Sequence, residues 1–440
     1  VISKWSPRPL LGRGRTTNDK NDPHSFLFAY DTKSEQIVGF PTSIKDRKNP
    51  LTPAQVAEYL RSYKRPNILT TIEELPGTLR KKTYSLTPIT PPVNPSAVRE
   101  ELEQLAANGG LIITTEVDAK LEGLPGETAA AKEQRQVFLA KASDIPQTMV
   151  EIGRLREMEL RKTGAGSGKP HLVDQYDKNR KGDIYWQVIV YDPKRQKIAG
   201  VIRFGEIDKI IQRYGVDHIL STKLFEFDAL LESAPIEKTI FTDDPVLGDL
   251  TEKVMPGFLD RNSLDVDCPY IASEYRHGKT IYLLWKAIAL FVSTHPQYSK
   301  IIGTLGISSN YLTTSRSILL RFLMRHHRSP FSVMVRPAEP IRYDPTVNLQ
   351  ELEALTQVPD PKLLQYAFNL VETDGRAISP LVNFHLELGV QFLEVSRNLE
   401  LESDSGLMIL DLLAPPTERL QEIFTREQFE ILRRYHGVTP

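Results

Sequence analysis

The stretch SEYRHGKTIYLLWKAIALF, residues 273–291, indicates the fold more clearly than any other part of the sequence. A charged run with Gly278 at its centre passes without a break into an apolar segment with helical spacing. A helix N-terminus exposes unpaired N–H groups and carries partial positive charge, so it attracts anions. Gly278 lets the backbone approach closely, and Arg276 and Lys279 add full charges. The stretch predicts a phosphate- or pyrophosphate-binding loop at a helix start, with a plain basic turn as the alternative.

The composition is that of a globular protein: 440 residues, 40% hydrophobic and 25% charged, with a net charge of −1. This balance argues against a nucleic-acid binder, so a basic site has to be local. Cys268 is the single cysteine and no Cys/His cluster has zinc spacing, so we predict neither a disulfide nor a metal site. No apolar run approaches the ~18 residues of a membrane span, and the first residues lack a signal-peptide core. We expect a cytoplasmic protein and leave attachment to a membrane surface open.

Strand and helix patterns alternate along the chain and predict a mixed α/β (α+β) fold with three parts. Residues 1–130 form a smaller N-terminal region with a strand at HSFLFAYD, a helix at TPAQVAEYLRSY, a proline-rich linker and a second helix capped by Ser96. Residues 131–330 form the core, a mixed central sheet flanked by helices. Residues 331–440 form a C-terminal extension of helices with one strand, packed on the core.

Three patterns suggest chemistry but have simpler explanations. The run TGAGSGKP, residues 163–170, resembles a P-loop, but Thr163 and Pro170 stand where that motif needs Gly and Ser or Thr. We expect a loop that leaves a helix. His326 and His327 are adjacent on a predicted helix, so they cannot face one metal ion. Cys268 is expected to be a small packed residue rather than a nucleophile.

An ordered series of motifs resembles one enzyme family. EYRHGKTIYLLW is similar to the pyrophosphate loop of the GNAT acyltransferases, which reads Arg/Gln-x-x-Gly-x-Gly/Ala at a helix start. In chain order, EIGRLREMELRKTGAGSGKPHLVDQYDK, IVYDPKRQKIAGVIRFG and KLFEFD precede this loop, and IIGTLGISSNYLTTSRSILLRFL and the tail around SGLMILDLL follow it. Over residues 135–437 the order and spacing resemble the ornithine-lipid-type, or hemolysin-like, N-acyltransferases. The resemblance implies a GNAT-like core.

The resemblance also implies a reaction. Family members move a fatty acyl group, often 3-hydroxylated, from acyl carrier protein to the amine of an amino acid in aminolipid synthesis. Acyl-ACP or acyl-CoA would be the donor substrate, no cofactor would be bound, and the enzyme would work in the cytoplasm or on the inner-membrane surface. Residues 1–130 faintly resemble the end of a partner O-acyltransferase domain, but no His-x-x-x-x-Asp motif occurs in the chain. We therefore expect a remnant without O-acyltransferase activity.

The resemblance assigns the catalytic residues. Where the family reads Leu-Glu-Leu-Gly-Arg-Ser, this chain has LDVDCP, residues 264–269, so a shorter carboxylate replaces the glutamate and the arginine is lost. Asp265 is the candidate that binds or deprotonates the amine, and Asp267 is second; a solvated or capping acid pair is the alternative. Tyr311 is the candidate acid for the leaving thiol, with a packed aromatic ring as the alternative. Because of this departure, two other hypotheses stay open. The protein is a family member that binds acyl carrier or lipid without transferring the acyl group, or it keeps only the fold.

The binding residues follow from the same motifs. The donor loop consists of Arg276, His277, Gly278, Lys279 and Thr280. At the exit of a predicted strand, Ser308, Ser309 and Asn310 are placed beside the thiol. Arg154 and Arg156 on the first core helix would meet the acidic carrier protein, or else pair with Glu157 or Glu159 on a solvated helix face.

Overall fold

The structure is a computed structural model. It describes residues 87–118, 132–162, 166–177, 183–227, 262–276, 279–341, 356, 359–372, 376–399 and 403–438, with three short strands before them. The helix expected at TPAQVAEYLRSY lies outside the described residues.

Thirteen strands are described. They are β1 Gly12–Gly14, β2 Phe26–Asp31, β3 Gln36–Val38, β4 Leu111–Asp118, β5 Lys132–Lys141, β6 Trp186–Asp192, β7 Lys197–Glu206, β8 Phe225–Phe227, β9 Ser263–Ile271, β10 Lys300–Ile307, β11 Val335–Pro337, β12 Gln391–Asn398 and β13 Ser403–Asp411. β1 to β3 form a small antiparallel sheet, and β8 pairs with β11. The other eight form one sheet in the order β12-β13-β10-β9-β7-β6-β5-β4.

Nine α-helices are described alongside these strands. They are α1 Pro95–Ala107, α2 Pro146–Lys162, α3 Ile207–Tyr214, α4 Thr280–Thr294, α5 Thr313–His326, α6 Pro361–Val371, α7 Pro380–Glu387, α8 Glu418–Ile423 and α9 Arg426–Tyr435. No helix of the described segments is both long and apolar enough to span a bilayer. The predicted fold class is confirmed: a large mixed sheet is flanked by helices, and the C-terminal part is mainly helical.

The large sheet takes strands from all three predicted parts of the chain. β4 lies before residue 130, while β12 and β13 lie after residue 330. The predicted boundaries therefore cut through one sheet instead of separating folding units. The C-terminal part also contributes two strands where one was expected, because the segment ending in QFLEVS leaves helix α7 and pairs with β13.

Side-chain alternation assigns α4 and α2 to opposite faces of this sheet. Phe204 on β7 meets Phe291 of α4 with ring centroids 4.7 Å apart. Its neighbour Arg203 points to the other face, since successive side chains of a strand alternate. Gln187, the cross-strand partner of Arg203, accepts a hydrogen bond from Arg156 of α2. We call the Arg203 side the α2 face and the Phe204 side the α4 face.

The cap of helix α1 differs from the prediction. Asn94, not Ser96, is the N-cap, and its side chain accepts a hydrogen bond from the backbone N–H of Ser96. Pro95 explains the shift, since proline fits the first helical position, where its missing N–H costs nothing. The helix ends as expected before Gly109, whose φ of 85° favours glycine.

Candidate functional site

The parallel strands β9 and β10 pair at one end only. Ser263 to Val266 pair with Lys300 to Gly303, and no further pairs follow although both strands continue. At the last pair the backbones are so close that a β-carbon on Gly303 would collide with the carbonyl oxygen of Val266. Beyond it, β7 follows β9 to Ile271 while β13 follows β10 to Ile307. The sheet therefore splits between two central strands, at their carboxyl ends, where ligands bind in open α/β sheets.

A bulge in β9 explains the split. Arg203 opposes Asp267 and Val201 opposes Tyr270, so Cys268 and Pro269 together oppose one residue of β7. Cys268 has the left-handed φ of 51°, and Pro269 has no N–H to donate to a ladder. The extra residue bends β9 away from β10.

Solvent reaches the sheet at this split. β7 is buried from Ile198 to Glu206, and β13 is buried from Ser403 to Leu410. In β9 and β10, between these buried neighbours, Asp267 and Thr304 are half-buried and Pro269 and Gly306 are exposed. Thr304 Oγ1 donates to Asp267 Oδ1 across the split, at 3.2 Å. We call this opening the cleft, with Asp267 and Thr304 at its closed end.

Asp265 is buried just behind the closed end, on the last paired stretch of β9. Its Oδ2 accepts hydrogen bonds from the hydroxyl of Tyr185 at 2.7 Å and from the N–H of Leu220 at 3.0 Å. Its Oδ1 accepts from the hydroxyl of Ser221 at 3.3 Å. Burial raises the pKa of Asp265 to about 6, against the opposing effect of the Tyr185 hydrogen bond. Asp265 is thus buried and not solvated, and its carboxylate accepts from the first N–H groups of the short helical turn Leu220–Lys223.

Asp267 has a different environment. Its Oδ2 accepts a hydrogen bond from Arg203 at 3.1 Å, and Arg203 also pairs with Asp174 and Asp177. Only 1% of the Arg203 side chain is exposed, against 11% for Asp267. The guanidinium remains charged because burial, which would lower its pKa, is outweighed by the carboxylates, and the pKa lies well above its usual value. A buried cation thus holds Asp267 with one edge toward the cleft.

The two arginines predicted on α2 separate. Arg156 is 2% exposed, donates to Asp177 at 3.0 Å and to Gln187 at 2.9 Å, and therefore belongs to the charged cluster under the sheet. Both the predicted carrier-protein contact and the solvated alternative are wrong for Arg156, because its side chain has no access to the surface. Arg154 is partly exposed and pairs with Glu151 at 2.6 Å.

The donor loop joins the split strand to α4. His277 and Gly278 lie outside the described residues. Lys279 is exposed and Arg276 is paired with Glu159 of α2 at 2.6 Å. Helix α4 begins at Thr280 with no side-chain cap and no acidic residue in its first turn. No side chain of the described residues therefore caps its first N–H groups, which are of the kind that bind anions.

Two contacts fix that helix start against the sheet. A β-carbon on Gly200 of β7 would lie 2.6 Å from Thr280 Cγ2, so glycine allows this approach. Before the loop, the buried Tyr275 donates to Asp192 at 2.8 Å. The helix N-terminus is thereby held beside the carboxyl end of β9.

The residues after β10 lie at the far end of the cleft. Ser308, Ser309 and Asn310 are half-buried, and Asn310 Nδ2 donates to the Lys162 carbonyl at the end of α2, at 3.4 Å. Tyr311 donates to the Ala377 carbonyl at 3.0 Å and packs edge-on against Phe368. This is the packed aromatic alternative, and no contact joins Tyr311 to Asp265 or Asp267 among the described side chains.

The P-loop-like run binds a carboxylate of the protein itself. Glu157 of α2 accepts hydrogen bonds from the N–H and hydroxyl of Ser167 and from the N–H of Gly168. Burial would raise the pKa of Glu157, but these bonds and Arg161 together lower it. The described part of the run, residues 166–170, is therefore a structural loop held by its own helix.

The remaining candidates also have structural explanations. His326 contacts the carbonyl of Thr356, and burial lowers the pKa of His327. Burial raises the pKa of Cys268 far above its usual value, so the thiol stays protonated. Within the described ranges, no three His, Cys, Asp or Glu side chains are grouped to hold a metal ion.

Sequence reasoning missed the residues that hold the two carboxylates. Tyr185 directly precedes β6, Arg203 lies on β7 and Ser221 follows α3, at distances of up to 80 residues from Asp265 in the chain. An arginine within the otherwise apolar strand KIAGVIRFGE was the one available signal, since a buried cation needs a carboxylate partner.

Two curated proteins named glycine N(alpha)-acyltransferase are similar to this chain. The one from Phocaeicola vulgatus is 22% identical over 320 residues, which are 70% of this chain and 90% of that protein. The one from Bacteroides thetaiotaomicron is 24% identical over 262 residues, which are 58% of this chain and 70% of that protein. No family model and no solved structure matches the chain. At the level of enzyme class, these relatives confirm the prediction of an acyltransferase.

Proposed function

We propose that the protein is a GNAT-like N-acyltransferase that moves a fatty acyl group from a thioester donor to the amine of an amino acid, with glycine as the first acceptor to test. The observation that carries the proposal is the cleft at the split of β9 and β10, with Asp267 open to it and Asp265 behind it. The names of the two relatives support glycine as the acceptor. The resemblance of the motifs supports acyl carrier protein as the donor's carrier and aminolipid synthesis as the purpose.

The donor fits the α4 side of the cleft. Its phosphate would accept hydrogen bonds from the first N–H groups of α4, with Lys279 as a further charge. The unpaired edges of β9 and β10 beyond Val266 and Gly303 offer backbone donors and acceptors to an extended amide-bearing chain, as a strand would. A phosphopantetheine arm, shared by acyl carrier protein and coenzyme A, has both groups.

The acceptor fits the α2 face, where the carboxylates lie. Asp267, whose side chain is partly open to the cleft, attracts the ammonium group of the amino acid. Asp265, with a pKa of about 6, accepts the proton directly or through one water. The neutral amine then attacks the thioester carbonyl, and the new C–N bond forms as the C–S bond breaks. The nitrogen gives its second proton to the leaving thiolate, so the products are the amide and a free thiol. The developing oxyanion requires N–H donors, which the open strand edges provide.

The test is transfer by the full-length chain. Palmitoyl and 3-hydroxypalmitoyl groups on acyl carrier protein and on coenzyme A are incubated with glycine and a panel of other amino acids, and products are read by mass spectrometry. We expect the mass of the N-acyl amino acid to appear with glycine. If the protein binds the donor but transfers the acyl group to no amine, the proposal is wrong. The alternative, a family member that binds without transfer, would then hold.

A further inference from the structure

Gly306 is an exposed residue in the interior of the eight-stranded sheet. It lies on β10, opposite Ser405 of β13, which is 4% exposed. A β-carbon on Gly306 would meet no atom of the described residues within 4 Å, and its φ is not in the left-handed range. A central strand position normally faces packed side chains. Open space above Gly306 therefore belongs to the cleft and not to imperfect packing of the core.

The direction of this space distinguishes acceptor from donor. Side chains at Ile302, Thr304 and Gly306 share one face of β10, and Thr304 donates to Asp267. Asp267 in turn pairs with Arg203, so Gly306 opens onto the α2 face. The N-terminus of α4, proposed for the donor phosphate, belongs to the opposite face.

We infer that the space above Gly306 is the acceptor pocket and that glycine at this position sets how large an acceptor the enzyme takes. The inference rests on the proposed function and names the pocket for the same reaction. The ammonium of the acceptor binds Asp267, and its α-carbon and carboxylate extend along β10 over Gly306. A side chain at position 306 points into this pocket and displaces the acceptor.

The test adds carbon atoms at position 306 in the full-length chain. One methyl group too many in a binding pocket costs about 10–200-fold in kcat/KM. We expect Gly306→Ala to raise KM for glycine about ten-fold and Gly306→Val to lower kcat/KM for glycine about a hundred-fold or more. KM for the acyl donor and the melting temperature should stay at wild-type values, because the added atoms meet open space. Thr114→Val, on the exposed face of edge strand β4, is the control for added apolar surface.

Binding gives a readout that needs no turnover: saturation-transfer NMR of glycine with the wild type and with Gly306→Val. Loss of glycine binding in Gly306→Val supports the inference even if transfer is undetectable. Wild-type transfer to glycine by Gly306→Val would overturn the inference while leaving the proposed function intact. A rise in donor KM alone would also overturn it, because it would place the donor on the α2 face. If the wild type neither binds glycine nor transfers to it, the inference fails together with the proposed function.

Discussion

The two halves of the β9–β10 pair have the same neighbours but opposite properties. The paired half consists of Ser263 to Val266 and Lys300 to Gly303. Its two backbones are in contact, and every residue of it except Lys300 is buried. In the open half, the same strands part, and polar or small residues face solvent. The paired half supplies rigidity and a carboxylate with a raised pKa, while the open half supplies access. A catalytic site needs both, since reacting groups must be held in place and still reached by substrate.

The largest effect is expected from the carboxylates at the border of the halves. Removing a general base costs about 10²–10⁴-fold in turnover, so Asp265→Asn should lower kcat by that amount with little change in donor affinity. Asp267→Asn should mainly raise KM for the acceptor. Wild-type kcat should rise with pH through about 6, because Asp265 must be ionised to accept a proton. Rate measurements against pH check this, and a full rate in Asp265→Asn would move the base to Asp267.

The next effect concerns Gly303, which marks the end of the paired half. Gly303→Ala places a methyl group against the Val266 carbonyl. Overpacking of this kind lowers the free energy of unfolding by up to about 3 kcal/mol. Gly306→Ala, three residues on, should change the free energy of unfolding by less than about 0.5 kcal/mol. Urea denaturation of both variants tests the contrast. Equal stabilities would show that the strands can separate freely at Gly303.

A similar effect, on binding and not on stability, is expected at the donor loop. Changing Arg276 and Lys279 together to Ala should weaken binding of acyl carrier protein or acyl-CoA by about 1–3 kcal/mol, the range for charge-assisted hydrogen bonds. Lys169→Ala is the control. Lys169 is also exposed and also follows a glycine, but the N–H of that glycine, Gly168, already binds Glu157. Calorimetry measures both. Unchanged donor affinity in the double variant would place the phosphate elsewhere.

The smallest effect is expected from the buried hydrogen bond between Tyr185 and Asp265. The Tyr185 hydroxyl donates to Asp265 and stabilises its ionised form, so Tyr185→Phe should raise the pKa of Asp265 further. The acidic limb of the kcat profile should move to higher pH by up to about one unit, with kcat at high pH retained. A tyrosine with a purely structural role would lower kcat at every pH instead. If the acidic limb of the kcat profile stays at the same pH in Tyr185→Phe, the titration of Asp265 is not what produces it.

Sequence alone determined the features that depend on neighbours along the chain. Sequence patterns located the strands β5, β6, β7, β9 and β10 and the helices between them, because burial of one face imposes a regular spacing. The loop of residues 276–280 was placed at a helix start for the same local reason. The caps were less certain: Asn94 and Ser96 both suit an N-cap, and Pro95 between them decided the position.

Only the tertiary structure decided what surrounds the carboxylates. In the sequence Asp265 and Asp267 are equivalent acids two residues apart, yet one meets uncharged donors from Tyr185 and Ser221 and the other meets Arg203. The same holds for Gly303 and Gly306, one closed against a carbonyl and one open to the cleft. Pairing partners come from distant strands, and electric fields and free volume depend on distance in space. No local pattern in one chain records them, so the division of the β9–β10 pair into a closed and an open half appears only in the folded sheet.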